Sequence, residues 1–454
     1  MMRTGSGMFT YYGVVRGMAL VTALSLAACG GGASGCAVAL PWAQATPDLS
    51  DGSGGTNRPE HRDKPHLVLV SLDGFKPAYL EKFELPNLRR VAARGTRARA
   101  MIPVFPTLTS PNHYSLVSGV YPETHGLVAN SFWDPDRGEG FSLSSQAVAD
   151  GTWYHAEPIW VTAERQGMVS ACFFWPGSEA AIRPTDAGDD QPGIRPTIWN
   201  KYDGSVPNED RVRTVLEWLQ MPDERRPHLI TLYFSELDSA QHDGPLDDPA
   251  VEAAAKSLDH AIGLLLDGLD ALPIRNRLYL LITSDHGMVE TSGEQTIRLD
   301  GMIDVTEIER GFSGPAASLH LKDPARAPAL RDQINDALER GRAYLRQEVP
   351  EEFHYRASPR IGDIVVIMDE AWTLAASSRP STRDVERWGM HGWDPSLPSM
   401  HALFMITGPG IRQGAVVPEV HNVDVYPLMT ELLGLRPAGG LAGRSGHIQR
   451  SIIE

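Results

Sequence analysis

The chain is predicted to be an α/β protein with a mostly parallel central sheet flanked by helices. Three observations point there. Short, nearly continuous apolar runs such as LVLVSL recur and end abruptly in polar residues, as strands buried on both faces do. Stretches with apolar residues at helical spacing separate these runs. Three of the runs are followed at once by aspartate or histidine, in SLDGF, SELDSAQH and TSDHGM. Open α/β sheets gather their ligands at such strand ends.

Taken in order, residues 1–29 read as a processing segment. Arg3 and Arg16 flank a weakly apolar start, and GMALVTALSLAAC is too short to span a bilayer. Its end, Leu26-Ala27-Ala28-Cys29, has the form of a bacterial lipoprotein cleavage box, in which the cysteine becomes the lipidated N-terminus. Plain secretion with cleavage near Ala43 is the alternative, and on either reading the chain is exported. Residues 30–62 hold few apolar anchors and read as a flexible linker, and 63–454 as one folded domain.

Within that domain the first strand is expected at 66–72 and ends at Asp73-Gly74, where glycine permits a tight turn. A helix is expected at 111–118, with Ser110 as its cap and Pro111 at its first position. A helix at 158–165, a strand at 168–175, a helix at 209–219 and a strand at 228–234 follow. Then come a helix at 249–269 and a strand at 278–284. Between about 290 and 390, Gly, Pro and charges alternate quickly, which reads as an inserted subregion beside the cleft, with a helix at 327–341 and a strand at 364–368. A strand at 402–407 and a helix at 425–433 complete the pattern.

The 454 residues carry a formal net charge of −16 and no basic block. This excludes a nucleic-acid duplex as partner, since phosphate backbones demand clustered Lys and Arg. A small anionic substrate would need positive charge from another source. Beyond Cys29 the cysteines are Cys36 and Cys172. Cys172, in VSACFFW, reads as a small buried hydrophobe, with a Cys36–Cys172 disulfide as the minor alternative. Nothing suggests an exposed partner face, so a monomer is the default.

The missing positive charge has a candidate source. Asp73, Asp238, His242, Asp285 and His286 follow three separate predicted strands, and His391 stands beside glycine in MHGWD. Asp238 and His242 are four residues apart, so one helical turn puts them on one face. Three carboxylates and three imidazoles suit two borderline divalent ions, zinc first and manganese or iron after it. Calcium and magnesium prefer shells of oxygen alone. Two such ions can clamp the attacking and leaving oxygens of a phosphoryl transfer. The alternative for each residue alone is a turn or helix cap. Thr109, just before the expected helix, is open to two readings: a cap, or a nucleophile whose hydroxyl is activated by a metal. Asn130 reads as a turn asparagine or as a donor to a phosphate oxygen.

The blocks VLVSLDGFKPAYL, FPTLTSPNHYSLVSGVYPETHGLVAN, EPIWVTAERQG, FFWPGSEA, YDGSVP, LITLYFSELDSAQHDGP, ITSDHGM and MHGWDP together resemble the nucleotide pyrophosphatase/phosphodiesterase family of the alkaline phosphatase superfamily. The resemblance runs from about residue 65 to 440 and, with the lipoprotein box, implies a bacterial member, exported to the periplasm and held at a membrane only through Cys29. It implies an alkaline-phosphatase-like fold and a hydrolase with two zinc ions. It makes Thr109 the nucleophile and a ligand of one ion with Asp73, Asp285 and His286, while Asp238, His242 and His391 hold the other. Asn130 and the amide beside the nucleophile would stabilise the transition state. The implied reaction is hydrolysis of small phosphodiesters or pyrophosphates, nucleotides first, through a phospho-threonine.

Nucleotide-cleaving members usually carry an aromatic residue directly after the nucleophile. Here that position is Ser110, so Trp153, Trp199 and Tyr202 become candidates for the base platform, and choline-type or glycerophospho head groups become the alternative substrates. Phosphomonoester and phosphonate hydrolysis are rivals within the superfamily. A sulfatase is disfavoured, because the Cys or Ser signature that makes formylglycine is missing near Thr109. His113 is expected to be packed, and His125 to hold the loop presenting Asn130.

Overall fold

The computed structural model describes residues 55–188, 190–376 and 385–453. The signal segment, Cys29 and Cys36 lie outside the described residues. The protein is an α/β sandwich built on an eight-stranded sheet. From edge to edge the strands are Ala415–Val417, Thr96–Ala98, Phe404–Thr407, Leu278–Thr283, His66–Leu72, Leu229–Phe234, Ser170–Phe173 and Ile198–Asn200. All run parallel except Phe404–Thr407, which is antiparallel to both neighbours.

The apolar runs are continuous because both faces of this sheet are covered. On one face Leu67 and Leu69 pack with Leu116, Trp160 and Tyr426, from the helices Thr109–Ser118, Ile159–Arg165 and Val425–Leu433. On the other face Val68, Val70 and Leu72 pack with Leu88, Val215 and Ile262, from the helices Pro86–Arg94, Asn208–Leu219 and Pro249–Ala271. Cys172 lies buried in a strand of the same sheet, a small hydrophobe among apolar neighbours. Among the described residues no helix is long and apolar enough to cross a membrane.

A third core lies apart from the sandwich. Four antiparallel strands, in the order Ile308–Phe312, Ala316–Leu321, Ile364–Met368 and Gly341–Leu345, carry the helix Ala327–Ala337 and bury Leu319, Leu330, Ile334 and Val366. The helix stops before the expected 341, because Gly341 already begins a strand. A Cβ there would sit 2.5 Å from the Ile367 carbonyl oxygen. The run at 364–368 belongs to this sheet and not to the central one.

The fold also begins upstream of residue 63. Asn57 donates its side-chain amide to the carbonyls of Asp223 and Arg226 and accepts from the Val169 N–H, so residues just ahead of 63 are packed and not free linker.

Candidate active site

The register of the sheet assembles the site. Ser71 pairs with Thr283, and Leu72 with Phe234. The residues just past these pairs, Asp73, Asp285 and the helix Glu236–Asp243, therefore emerge side by side at one carboxyl edge. Gly74 turns the chain away at φ +68°, and its N–H donates to Asp285 Oδ1 at 3.1 Å. Asp238 and His242 lie one turn apart on the helix, with Oδ1 and Nε2 3.4 Å apart. His391 arrives by a different route. The strand Val289–Ser292 leaves the Asp285-His286 corner and pairs antiparallel with Arg387–Met390. This sets His391 against His286, with ring centroids 3.5 Å apart.

All six expected ligands thus meet. His286 Nε2 lies 3.0 Å from Asp285 Oδ2 and 3.5 Å from Asp73 Oδ1. His391 Nε2 lies 3.1 Å from His242 Nε2 and 3.7 Å from Asp238 Oδ1. Two His/Asp clusters result, each able to coordinate a divalent ion: Asp238, His286 and His391, and Asp73, His113 and Asp285. His286 sits between the groups and can serve either.

The donor set fits divalent cations. Asp73 Oδ1, Asp238 Oδ1 and Asp285 Oδ2 are buried without a hydrogen-bond partner, a costly state for carboxylate oxygens that no cation neutralises. Each of three imidazoles donates Nδ1–H to a backbone carbonyl: His242 to Gly389, His286 to Gly287 and His391 to Thr107, at 2.8 to 2.9 Å. That fixes the tautomer and directs the Nε2 lone pair inward, as the carbonyl partners of zinc-binding histidines do. Burial, with Asp285 and Asp238 alongside, pushes the Asp73 carboxyl well above its usual range. Crowded like charges of this kind call for a cation.

Tyr233 answers the other side of Asp73, donating its hydroxyl to Oδ2 at 2.5 Å. This contact is not readable in LITLYF, where Tyr233 looks like a core residue. His113 has both ring nitrogens in use, Nδ1 at 2.9 Å from the Thr109 carbonyl and Nε2 at 2.8 Å from Ser71 Oγ. It packs edge-on to Trp175 and Tyr233. His113 Nδ1 also lies 3.3 Å from Asp285 Oδ2, so His113 buttresses the site and stands within reach of an ion held by Asp73 and Asp285.

The helix expected from Pro111 begins earlier. Thr109 is its first residue, Leu108 precedes it as N-cap, and no side chain caps it. The Thr109 hydroxyl is therefore free of capping duty, and Oγ1 lies 3.4 Å from His286 Nε2. Asn130 accepts the Ser110 N–H on Oδ1 at 2.7 Å. Thr109 and Asn130 each keep 9% exposure at the cleft, whereas Ser110 is fully buried. His125 lies within 2.9 Å of Ser115 Oγ through Nε2 and accepts the Leu127 N–H, which ties the start of the Asn130 segment to the helix.

Of the three candidate platforms, Trp153 is buried between Phe132 and Phe141, and Trp199 is half-buried against the core. Tyr202 is 47% exposed. Its hydroxyl lies 3.0 Å from Ser235 Oγ, and its ring stands 6.2 Å from that of Tyr233. It lines a cavity of about 500 Å³ with Ser235, Glu236, Ser239, Asp243 and Asp248.

A strand-edge site of this kind, on this sheet, belongs to a class of α/β proteins that gather divalent ions around a hydroxyl. Comparison narrows the class. The type I phosphodiesterase / nucleotide pyrophosphatase family matches residues 67–394, and the chain belongs to that family. It is 39% identical to ectonucleotide pyrophosphatase/phosphodiesterase family member 1 of Rattus norvegicus over 395 residues, 84% of this chain and 42% of that protein. It is 34% identical to venom phosphodiesterase CdcPDE of Crotalus durissus collilineatus over 417 residues, 89% of this chain and 49% of that one. The chain spans less than half the length of these curated relatives. Murine ectonucleotide pyrophosphatase / phosphodiesterase 5, solved as an inactive variant in complex with AMP, matches with a TM-score of 0.77 at 31% identity, covering 86% of this chain and 100% of that one.

Proposed function

We propose that the protein hydrolyses phosphodiester or pyrophosphate bonds in small nucleotides, with Thr109 as nucleophile. The observation that carries this reading is the ring of six ligand-type side chains, five buried and Asp238 half-buried, three of them with orphaned carboxylate oxygens, closed around the cleft where Thr109 Oγ1 stands. Asp73, Asp285 and His286 would hold one ion with Thr109, and Asp238, His242 and His391 the other. Bound there, two zinc ions supply the charge that lowers the hydroxyl pKa and neutralises the phosphoryl oxygens. The chain does the rest. Thr109 Oγ1 attacks phosphorus and gives up its proton to solvent, while the ester oxygen leaves from the opposite face and takes a proton from solvent. Asn130, its Oδ1 held by the Ser110 N–H, turns its amide donor to a non-bridging oxygen, whereas the Ser110 amide expected to share that role is donated to Asn130 instead. Water then cleaves the phospho-threonine in line and releases a phosphomonoester.

Tyr202 supplies the platform for a base in place of the residue after the nucleophile. The relative solved with AMP supports a nucleotide in this cleft. A second reading has its own support: the cavity beside Tyr202 is lined by Glu236, Asp243 and Asp248, which favours a cationic, choline-type head group. The chain is further proposed to be a monomeric bacterial lipoprotein, exported to the periplasm and anchored at Cys29.

The test is Thr109→Ala in metal-replete protein. Turnover of a nitrophenyl nucleotide diester should fall at least ~10³-fold with two metal ions still bound. Wild-type rates would remove Thr109 from the mechanism. A ratio of nucleotide to phosphocholine diester hydrolysis decides between the two substrate readings.

A further inference from the structure

Asn130 lies in an irregular segment between the helix Pro122–His125 and the strand Ser131–Asp134. A donor that must meet a transition state has to be held to within a fraction of an ångström, and irregular backbone does not do this unaided.

Arg360 reaches this segment from outside the sandwich, from the chain just ahead of the accessory strand Ile364–Met368. It is 2% exposed. Its Nε donates to Asp134 Oδ2 at 2.8 Å. Its Nη1 donates to the carbonyls of Gly126 at 2.9 Å and Trp153 at 2.7 Å, and Nη2 lies 2.9 Å from His155 Nε2. Gly126 and Asp134 stand four residues before and four residues after Asn130. One planar guanidinium thus grips both ends of the segment whose midpoint is Asn130. The approach at Gly126 leaves no room for a side chain: φ is +85°, and a Cβ would lie 2.4 Å from Nη1.

Neighbouring residues repeat the pattern. Tyr355 donates its hydroxyl to the Val128 carbonyl at 2.8 Å. The Glu123 carboxylate accepts the N–H groups of Arg356 and Ala357 at 2.6 and 2.9 Å. The stretch 355–360 therefore lies along 123–134 and seats it.

We infer that Arg360, through Asp134 and the Gly126 carbonyl, is the positioning residue that sets Asn130 against the reacting phosphate. The inference rests on the proposed role of Asn130. Arg360 touches neither the metal ligands nor the cleft. It acts on the rate only through the placement of the asparagine. Lysine cannot replace it, because one ammonium cannot span Asp134, Gly126 and Trp153 with fixed geometry.

The test is a double-mutant cycle in the full-length, metal-loaded protein, with a nitrophenyl nucleotide diester as probe. Arg360→Lys and Asp134→Asn are each expected to lower kcat by ~10–100-fold. KM should stay within ~3-fold and two metal ions should be retained, because binding groups and ligands are untouched. In an Asn130→Ala background the same substitutions should change kcat by less than ~3-fold, since the group they position is gone. If Arg360→Lys does not fold, Asp134→Asn completes the cycle alone. Losses that multiply undiminished in the Asn130→Ala background overturn the inference, as does full kcat in a folded Arg360→Lys or Asp134→Asn protein. Wild-type kcat in Asn130→Ala itself removes the role of the asparagine, and this inference falls with it.

Discussion

Tyr233 sits among buried rings, yet its hydroxyl is committed to Asp73 at 2.5 Å. Burial, and then the neighbouring Asp73 charge, hold the phenol well above its ordinary pKa, so it remains a donor at every working pH. Tyr233→Phe removes the donor and leaves a second Asp73 oxygen without a partner. Removing a hydrogen bond that orients a metal-ligating carboxylate costs about 10–100-fold in metal affinity. Competition with a chelator should show that loss in Tyr233→Phe with little change in folding. An unchanged affinity would mean that Asp73 is oriented by something else. At this scale the ligand-type side chains were legible and the residues that hold them were not. Asp73, Asp238 and Asp285 announce themselves by following apolar runs. Tyr233 and Arg360 look like a core aromatic and a loop cation until the fold brings in partners 160 and 226 residues away.

The strands His66–Leu72 and Leu229–Phe234 begin at the edge opposite the site, and there two histidines stack, with centroids 4.2 Å apart and planes 4° from parallel. Each donates Nδ1–H across the gap, His66 to the Pro227 carbonyl and His228 to that of Pro65, both at 2.9 Å. Burial first, and then nearby positive groups including Arg226 and Arg277, bring His66 down to about 3 and His228 down to about 4. The unfolded chain, with histidine near 6.5, binds more protons than the folded one throughout that window. The stabilising effect of the neutral pair is therefore whole above pH 6.5 and is lost as pH falls toward 4, by about 1.4 kcal/mol per pH unit for each ring. Denaturant melts at pH 7 and pH 5 should show a smaller drop in His66→Phe/His228→Phe than in the parent. An equal drop would place the acid sensitivity elsewhere. Five strands of the central sheet and most of the long helices were legible because each is a continuous apolar run or a clear helical repeat, whereas the short strands Thr96–Ala98, Ile198–Asn200 and Ala415–Val417 and the helix Pro86–Arg94 were not. The accessory strands were not. Ile308–Phe312 and Gly341–Leu345 carry Glu309, Arg310 and Arg342 on a half-exposed sheet, and such mixed short runs look like loop. The antiparallel direction of Phe404–Thr407 was equally hidden, because a buried strand reads the same either way.

Across the whole molecule, the residues assigned to the metals span positions 73 to 391 and come from five separate stretches of chain. Some follow strands of the central sheet, one begins a helix, and one follows a strand that pairs beside the cleft. Two divalent ions held there would cross-link these stretches in the folded state and have no comparable site in the unfolded chain. They would also offset charge in a protein of formal net charge −16, where Asp73, Asp238 and Asp285 already crowd one another. Ligand that binds only the folded state adds about 2.7 kcal/mol per site at a hundredfold excess over Kd. Thermal melting should therefore respond to metal even where no substrate is present. Exhaustive chelation is expected to lower Tm by ~5 °C or more, given that ~1 kcal/mol moves a domain of this size by ~1–2 °C, and two equivalents of Zn²⁺ should restore it. Asp238→Asn should blunt the response by weakening one site and leaving the other. Metal-free protein that melts where the loaded protein does would mean that these side chains do not gather ions in the native fold, and the hydroxyl of Thr109 would then have nothing to activate it.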